Sequence, residues 1–160
     1  NQKEKDELLI VDIEGIKVAV LSYTSFVNYY SQDKIEKEMS YITSLIPNKN
    51  SKLYDKLKKE IKSDFDEAKK SGADLILVMP HMGTQFTHKT NDFQKEWNKI
   101  FARYGADIIL GDHSHAVQPI EYIEDTLVVN CPGNFANSYI MIINYTQILV
   151  IEIDEQSTTW

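Results

Sequence analysis

Apolar residues fall in short runs separated by charged clusters, and the runs follow two periodicities. In LLIVDIEGIKVAVLSYT two runs flank Glu14 and Gly15, which predicts two β-strands joined by a tight turn. The second run, Lys17 to Tyr23, is almost wholly apolar, the pattern of a strand covered on both faces. The polar, Tyr- and Asn-rich stretch from Ser25 to Asn50 follows, within which Asp33 to Ile46 predicts a short helix and Pro47-Asn48 a break. A stretch of this length is either the border of a site or a surface excursion. Leu53, Leu57, Ile61, Phe65 and Ala68 then recur at helical spacing, with Gly72 placed to end the helix. ADLILVMPH reads as a buried strand. A second helix is predicted from Asn91 or Asp92 to Tyr104, with Phe93, Trp97, Ile100 and Phe101 on one face and Gly105 at its end. After ADIILGDHSH, the stretches QPIEYIE, TLVVN and YTQILVIEI predict antiparallel or edge strands that finish a sheet.

KKSGADLILVMPHMG and ARYGADIILGDHSH share one grammar: helix, Gly, Ala-Asp, apolar strand, histidine. Consecutive βα units of this kind imply parallel strands, right-handed crossovers and an α/β fold. Ligands of such sheets gather beyond the carboxyl ends of the strands. Three of the chain's four histidines, His81, His113 and His115, stand there. In extended chain, residues two apart point to one side, so His113 and His115 can face one cluster and bind one metal or two close ones. A lone histidine after a strand is ordinarily a hydrogen-bonded loop residue. Three at equivalent strand ends favour a metal centre. Imidazoles suit Zn, Mn, Fe or Ni, and nearby carboxylates would favour Mn, Fe or a mixed pair. Asp112 reads as a turn residue in preference to a carboxylate orienting a histidine, and His88, in the polar THKTND loop, as a surface residue.

Composition narrows the classes. The 160 residues are 42% hydrophobic and 26% charged, suited to one domain. A formal charge of -7 argues against a nucleic-acid or anionic-membrane surface, so an anionic substrate would need a local positive centre such as a metal. The one cysteine, Cys131, excludes an internal disulfide framework and reads as a small packed thiol. Ser114 lacks the Gly-x-Ser-x-Gly setting of a serine hydrolase, and no Gly-rich phosphate loop is present. The chain shows no leader and no apolar stretch near 18 residues, and it opens on the charged run Asn1 to Glu7. It is expected to be a piece of a longer protein.

GIKVAVLSYT, ADLILVMPHMGTQF, GADIILGDHSHAVQPIEY and PGNF, in this order and approximate spacing, resemble the bacterial CapA family of capsule or poly-γ-glutamate synthesis proteins, related to calcineurin-like metallophosphoesterases. The resemblance spans about Leu9 to Asp154. It implies that residues 1–160 are one domain, the C-terminal half of a metallophosphoesterase-like sandwich with βα units and a mixed sheet. It further implies two divalent ions (Mn, Fe or Zn), with His81 and His113 on one and His115 on the other. Asn134, Gln118 and Asp112 become substrate-cleft candidates. The nucleophile would be a water activated between the metals, with no side chain of this chain assigned to catalysis.

The sequence departs from the family pattern at Asp112, where histidine is frequent, at Ser114, where proline is, and at Met82, in place of tryptophan. The Asp, Asp and Asn-His motifs of the family's first half are absent, so this stretch alone is expected to be inactive. The implied partners are the N-terminal half of the domain, membrane components of the capsule or polyglutamate machinery, and an anionic polymer, with no nucleic acid. The implied location is extracytoplasmic and membrane-associated. A rival reading makes the fold a non-catalytic polymer- or carbohydrate-binding module gripping its ligand with Tyr23, Phe26, Tyr29 and Tyr30. A third treats the histidines as structural turn residues.

Overall fold

The structure is a computed structural model that describes residues 7–38, 44–134, 146–148, 150 and 152. It is a mixed α/β arrangement around one six-stranded sheet. The strands are β1 (Leu9–Ile13), β2 (Ile16–Thr24), β3 (Leu75–His81), β4 (Ile108–Leu110), β5 (Ile120–Ile123) and β6 (Thr126–Val129). The helices are α1 (Gln32–Glu38), α2 (Tyr54–Lys70) and α3 (Asp92–Tyr104). The sheet order is β1-β2-β3-β4-β6-β5, with β2, β3, β4 and β6 parallel and both edge strands antiparallel.

Local chemistry accounts for these elements. Glu14 and Gly15 both take left-handed φ, 52° and 94°, and Asp12 Oδ1 accepts from the Gly15 N–H at 2.8 Å, closing the β1–β2 hairpin. Helix α3 begins in a reciprocal capping box: the Asn91 side chain accepts from the Gln94 N–H and the Gln94 side chain from the Asn91 N–H. It ends at Gly105 in the left-handed conformation. Helix α2 presents Leu57, Ile61, Phe65 and Ala68 inward, as their spacing predicts.

The path β2–α2–β3–α3–β4 makes two crossovers in one direction, which puts both helices on one face of the sheet. There Ala19, Leu21, Tyr23, Ile76, Val78, Ile109 and Val128 pack beneath Phe65, Trp97 and Phe101. The register pairs Ala19 with Ile76 and Leu21 with Val78, so alternate residues share this face. The other face carries Leu9, Val11, Val20, Leu77, Met79, Leu110, Leu127 and Tyr122. Among the described residues no element covers it: Leu9 is 57% and Tyr122 71% exposed. The near-continuous apolar strands fit burial on both faces, and the described residues cover one.

The structure corrects two expected elements. The helix expected over Asp33 to Ile46 stops at Glu38; residues 39–43 lie outside the described residues, and Leu45 is in an extended bridge to Thr24. The bridge is held by the Thr24 N–H to Ser44 O and the Ile46 N–H to Thr24 O. TLVVN, expected at the periphery, forms β6 inside the sheet, parallel to β4; IEYI alone makes the antiparallel edge there. The strand expected over YTQILVIEI lies mostly outside the described residues.

Candidate metal centre

The carboxyl ends of β3 and β4 bring the histidines together. Past the end of β4, Asp112 lies in a parallel bridge with His81, and its N–H donates to Pro80 O at 3.1 Å. The His81 and His113 ring centroids are 4.6 Å apart, and those of His113 and His115 6.3 Å. Phe26, two residues beyond β2, sits edge-on to His113 at 4.6 Å and tilted to His81 at 5.6 Å. One sheet edge therefore gathers three imidazoles, two of them against the Phe26 ring.

The route by which His113 and His115 share a cluster differs from the expected one. Both have left-handed φ, 96° and 60°, so the segment is a tight bend and not extended chain. Neither residue is glycine, and such backbone costs about 1–2 kcal/mol per residue, which the surrounding contacts must offset. Ser114, between them, is fully buried: its Oγ donates to Ala116 O at 2.6 Å and its carbonyl accepts the Phe86 N–H at 2.7 Å. That bond holds Phe86 stacked on His115, with ring centroids 5.6 Å apart. Phe86 was not foreseen, because its TQFTHKT surroundings look like an ordinary polar loop.

Two histidines have one nitrogen already engaged. His115 Nδ1 lies 2.8 Å from Asn134 Oδ1, and His81 Nδ1 lies 3.4 Å from Asp112 Oδ2. A proton on Nδ1 facing oxygen leaves the Nε2 lone pair for a metal, the arrangement by which outer partners fix ligand tautomers. Asp112 is thus a histidine partner, not the turn residue it resembled. His81 and the backbone N–H of His113 hold its carboxyl down at about 2. Burial, and then the neighbouring His81 and His115, lower the His113 pKa, favouring its neutral form. The Nδ2 of Asn134 is buried with no partner among the described residues.

The donor chemistry fits part of a divalent centre. Among the described residues, however, no three His, Cys, Asp or Glu side chains converge closely enough to hold an ion. Two expected contributors stand elsewhere. Gln118 is buried, donating to Thr87 O at 3.1 Å and Lys89 O at 3.2 Å and accepting from Gln94 Nε2 at 2.8 Å; it anchors the loop carrying Phe86. Tyr23, invoked for gripping a polymer, lies in the helix-side core, its hydroxyl donating to Asp64 at 2.9 Å and its ring stacked on Phe101. His88 is at the surface, bonded through Nδ1 to Val117 O at 2.7 Å.

The fold and site define an α/β protein with a histidine cluster at the carboxyl edge of a parallel sheet. The sequence model of the family described as bacterial capsule synthesis protein PGA_cap matches residues 1–139, and the chain belongs to that family. It is 39% identical over 71 residues to the PGA biosynthesis protein CapA of Bacillus subtilis (strain 168), a match covering 44% of this chain and 18% of that protein. It is also 29% identical over 135 residues to the capsule biosynthesis protein CapA of Bacillus anthracis, covering 84% of this chain and 30% of that protein. The chain thus spans less than a third of the relatives it matches. Among the described residues no helix is long and apolar enough to cross a membrane.

Proposed function

We propose that this chain is the C-terminal half of a metallophosphoesterase-like domain in a protein of capsule or poly-γ-glutamate synthesis or export, one that holds a pair of divalent ions. The observation that carries the reading is the convergence of His81, His113 and His115 from two strand ends, two of them with Nδ1 engaged by oxygen. In this reading His81 and His113 serve one ion and His115 the other, with Mn, Fe or Zn as the metals. Bound metals would polarise a phosphoryl-like group and activate water. The chain's own contribution is positioning: Asp112 and Asn134 fix the tautomers, and Phe26 and Phe86 pack against the imidazole rings.

The uncovered face supports the incomplete-domain part of the reading. His81 continues the row Leu75, Leu77, Met79, so it projects on the uncovered side. A further layer laid over that face would reach the histidines and could bring carboxylate ligands that the described residues do not supply. The intact protein would then act outside the cytoplasm, at the membrane, with other components of the capsule machinery and an anionic polymer. The rival, a non-catalytic module on the same fold, keeps the cleft but needs no metal.

The test is metal content by mass spectrometry on the full-length protein, beside His113→Ala/His115→Ala. Near-stoichiometric Mn, Fe or Zn, lost in the double variant, is expected. No metal in either protein, both folded and supplied with metal, would overturn the metal centre and leave the binding module.

A further inference from the structure

The outer surface of the helical layer carries a feature unrelated to the histidines. Between α2 and α3 lies a shallow open cleft of about 610 Å³, whose lining includes Lys49, Tyr54, Lys58, Lys95, Lys99 and Arg103. Five of the chain's 17 cations line it, against two of its 24 acids. In a chain of formal charge -7 this is a local reversal of sign. Lys95, Lys99 and Arg103 follow one another at four-residue intervals along α3, a like-charge stripe that slightly disfavours the helix.

The two acids do little to neutralise this stripe. Asp92 is fully exposed, and among the described residues its ion pair is with Lys95, at 3.9 Å. Glu96 is held from the other side, by Lys49 at 2.8 Å and the Tyr54 hydroxyl at 3.2 Å. Among the described residues Lys58, Lys99 and Arg103 have no carboxylate within 4.0 Å, and Lys58 lies over the Tyr54 ring at 5.3 Å. The Glu96 contacts also show what the cleft accepts: a carboxylate, gripped by an ammonium and a phenol. Four of the five cations are lysines, point charges that attract an anion without demanding the planar, bidentate geometry of arginine.

We propose that the α2–α3 cleft is a binding site for an anionic polymer bearing repeated carboxylates, separate from the histidine centre. It shares no residue with that centre, and it rests on the capsule-polymer reading for the carboxylate class of the polymer, while the cationic lining carries the site itself. Successive carboxylates of one flexible strand would sit along Lys95, Lys99 and Arg103, with Lys58 opposite. Attraction by several exposed cations is additive, weak per contact and salt-sensitive.

The experiment is binding of fluorescently labelled poly-γ-glutamate to the full-length protein across a salt series. The variants are Lys99→Gln/Arg103→Gln and, as an equal loss of charge away from the cleft, Lys17→Gln/Lys89→Gln. Circular dichroism confirms folding, and metal content is measured on each protein. The expected result is at least about a tenfold loss of affinity in the first pair, less than about twofold in the second, and a shallower salt dependence in the first. Equal losses in the two pairs, or no binding by the wild type, would overturn the proposal. Polyphosphate or a single-stranded oligonucleotide binding as tightly as the polyglutamate would overturn the carboxylate assignment. His113→Ala/His115→Ala separates the two readings, because it is expected to lose metal and keep polymer affinity. Loss of polymer binding in that variant alone would move the polymer to the histidine cleft.

Discussion

Gly111 stands at the junction between sheet and histidine bend, and its replacement by alanine gives the sharpest test of the geometry there. Its N–H donates to Val129 O at 2.7 Å as β4 and β6 run out side by side. A β-carbon at this position would meet Asn130 O at 2.2 Å, Asn130 C at 3.0 Å and Val129 O at 3.3 Å. All three atoms are backbone, so relief requires the ends of two paired strands to separate by about 1 Å. A cost of about 3 kcal/mol, the upper end of ordinary overpacking, follows. Gly72→Ala is the control: nothing lies within 4 Å of its β-carbon, but its φ of +76° carries a strain of about 1–2 kcal/mol. Gly83→Ala should also cost more than Gly72→Ala, because its φ of +117° carries backbone strain and its β-carbon would in addition clash at 2.6 Å with the Gln94 side chain, itself held by Gln118. Urea unfolding of the three variants in the full-length protein measures the series. At about 2–4 °C per kcal/mol, Gly111→Ala should also melt about 6–12 °C lower. The reasoning is refuted if Gly111→Ala is no less stable than Gly72→Ala.

Three further outcomes are expected. Gln118→Leu strands Thr87 O, Lys89 O and the Gln94 amide, and should cost about 3 kcal/mol and open the 84–91 loop to protease; a loop cleaved at the wild-type rate would remove its anchoring role. The Asp112 carboxyl is lowered from 3.8 to about 2, so its contribution to stability is present above about pH 4 and fades as pH falls towards 2. With a side chain 70% exposed, solvent screening holds that contribution below about 1 kcal/mol, and the gap between wild type and Asp112→Asn should close across that window. His113 has its pKa lowered from 6.5, so the unfolded chain takes up that proton first and the residue's contribution falls as pH drops below about 6.5. A carbon-13 titration of metal-free protein should place His113 below 6.5, and a midpoint at or above it would contradict the burial argument.

What the sequence disclosed follows from how local the determinants are. Helix α3 was legible from end to end, because Asn91, Gln94 and Gly105 each act within a turn of their own position. The strand ends carrying His81 and His113 were legible from apolar runs alone. Tyr23 was misplaced for a different reason: β2 is apolar on both sides, so the pattern shows a strand without showing which alternate set faces the helices. Only the register Tyr23↔Pro80 and the helices above it decide this. The bend at His113 to His115 carries no glycine to announce left-handed backbone, and its conformation depends on Phe86 and Ala116, which only the tertiary fold brings to it. Gln118 looked like a cleft residue, since a polar side chain spent on remote carbonyls cannot be told by sequence from one that faces a ligand.

The same alternation makes the proposed further layer testable. Met79 lies two residues before His81 on the uncovered face and is 40% exposed. If the intact protein lays an apolar layer there, a thiol at position 79 is buried at the centre of an interface and reacts only when that interface opens. Met79→Cys in the full-length protein should then react with a maleimide at least about tenfold more slowly than Lys59→Cys on the exposed side of α2. Cys131 is buried and gives little background. Equal rates at 79 and 59 would mean that the face is open in the intact protein. The histidines would then have no neighbouring layer to complete their ligand set, and the domain-half reading would fall even with the histidine cluster intact.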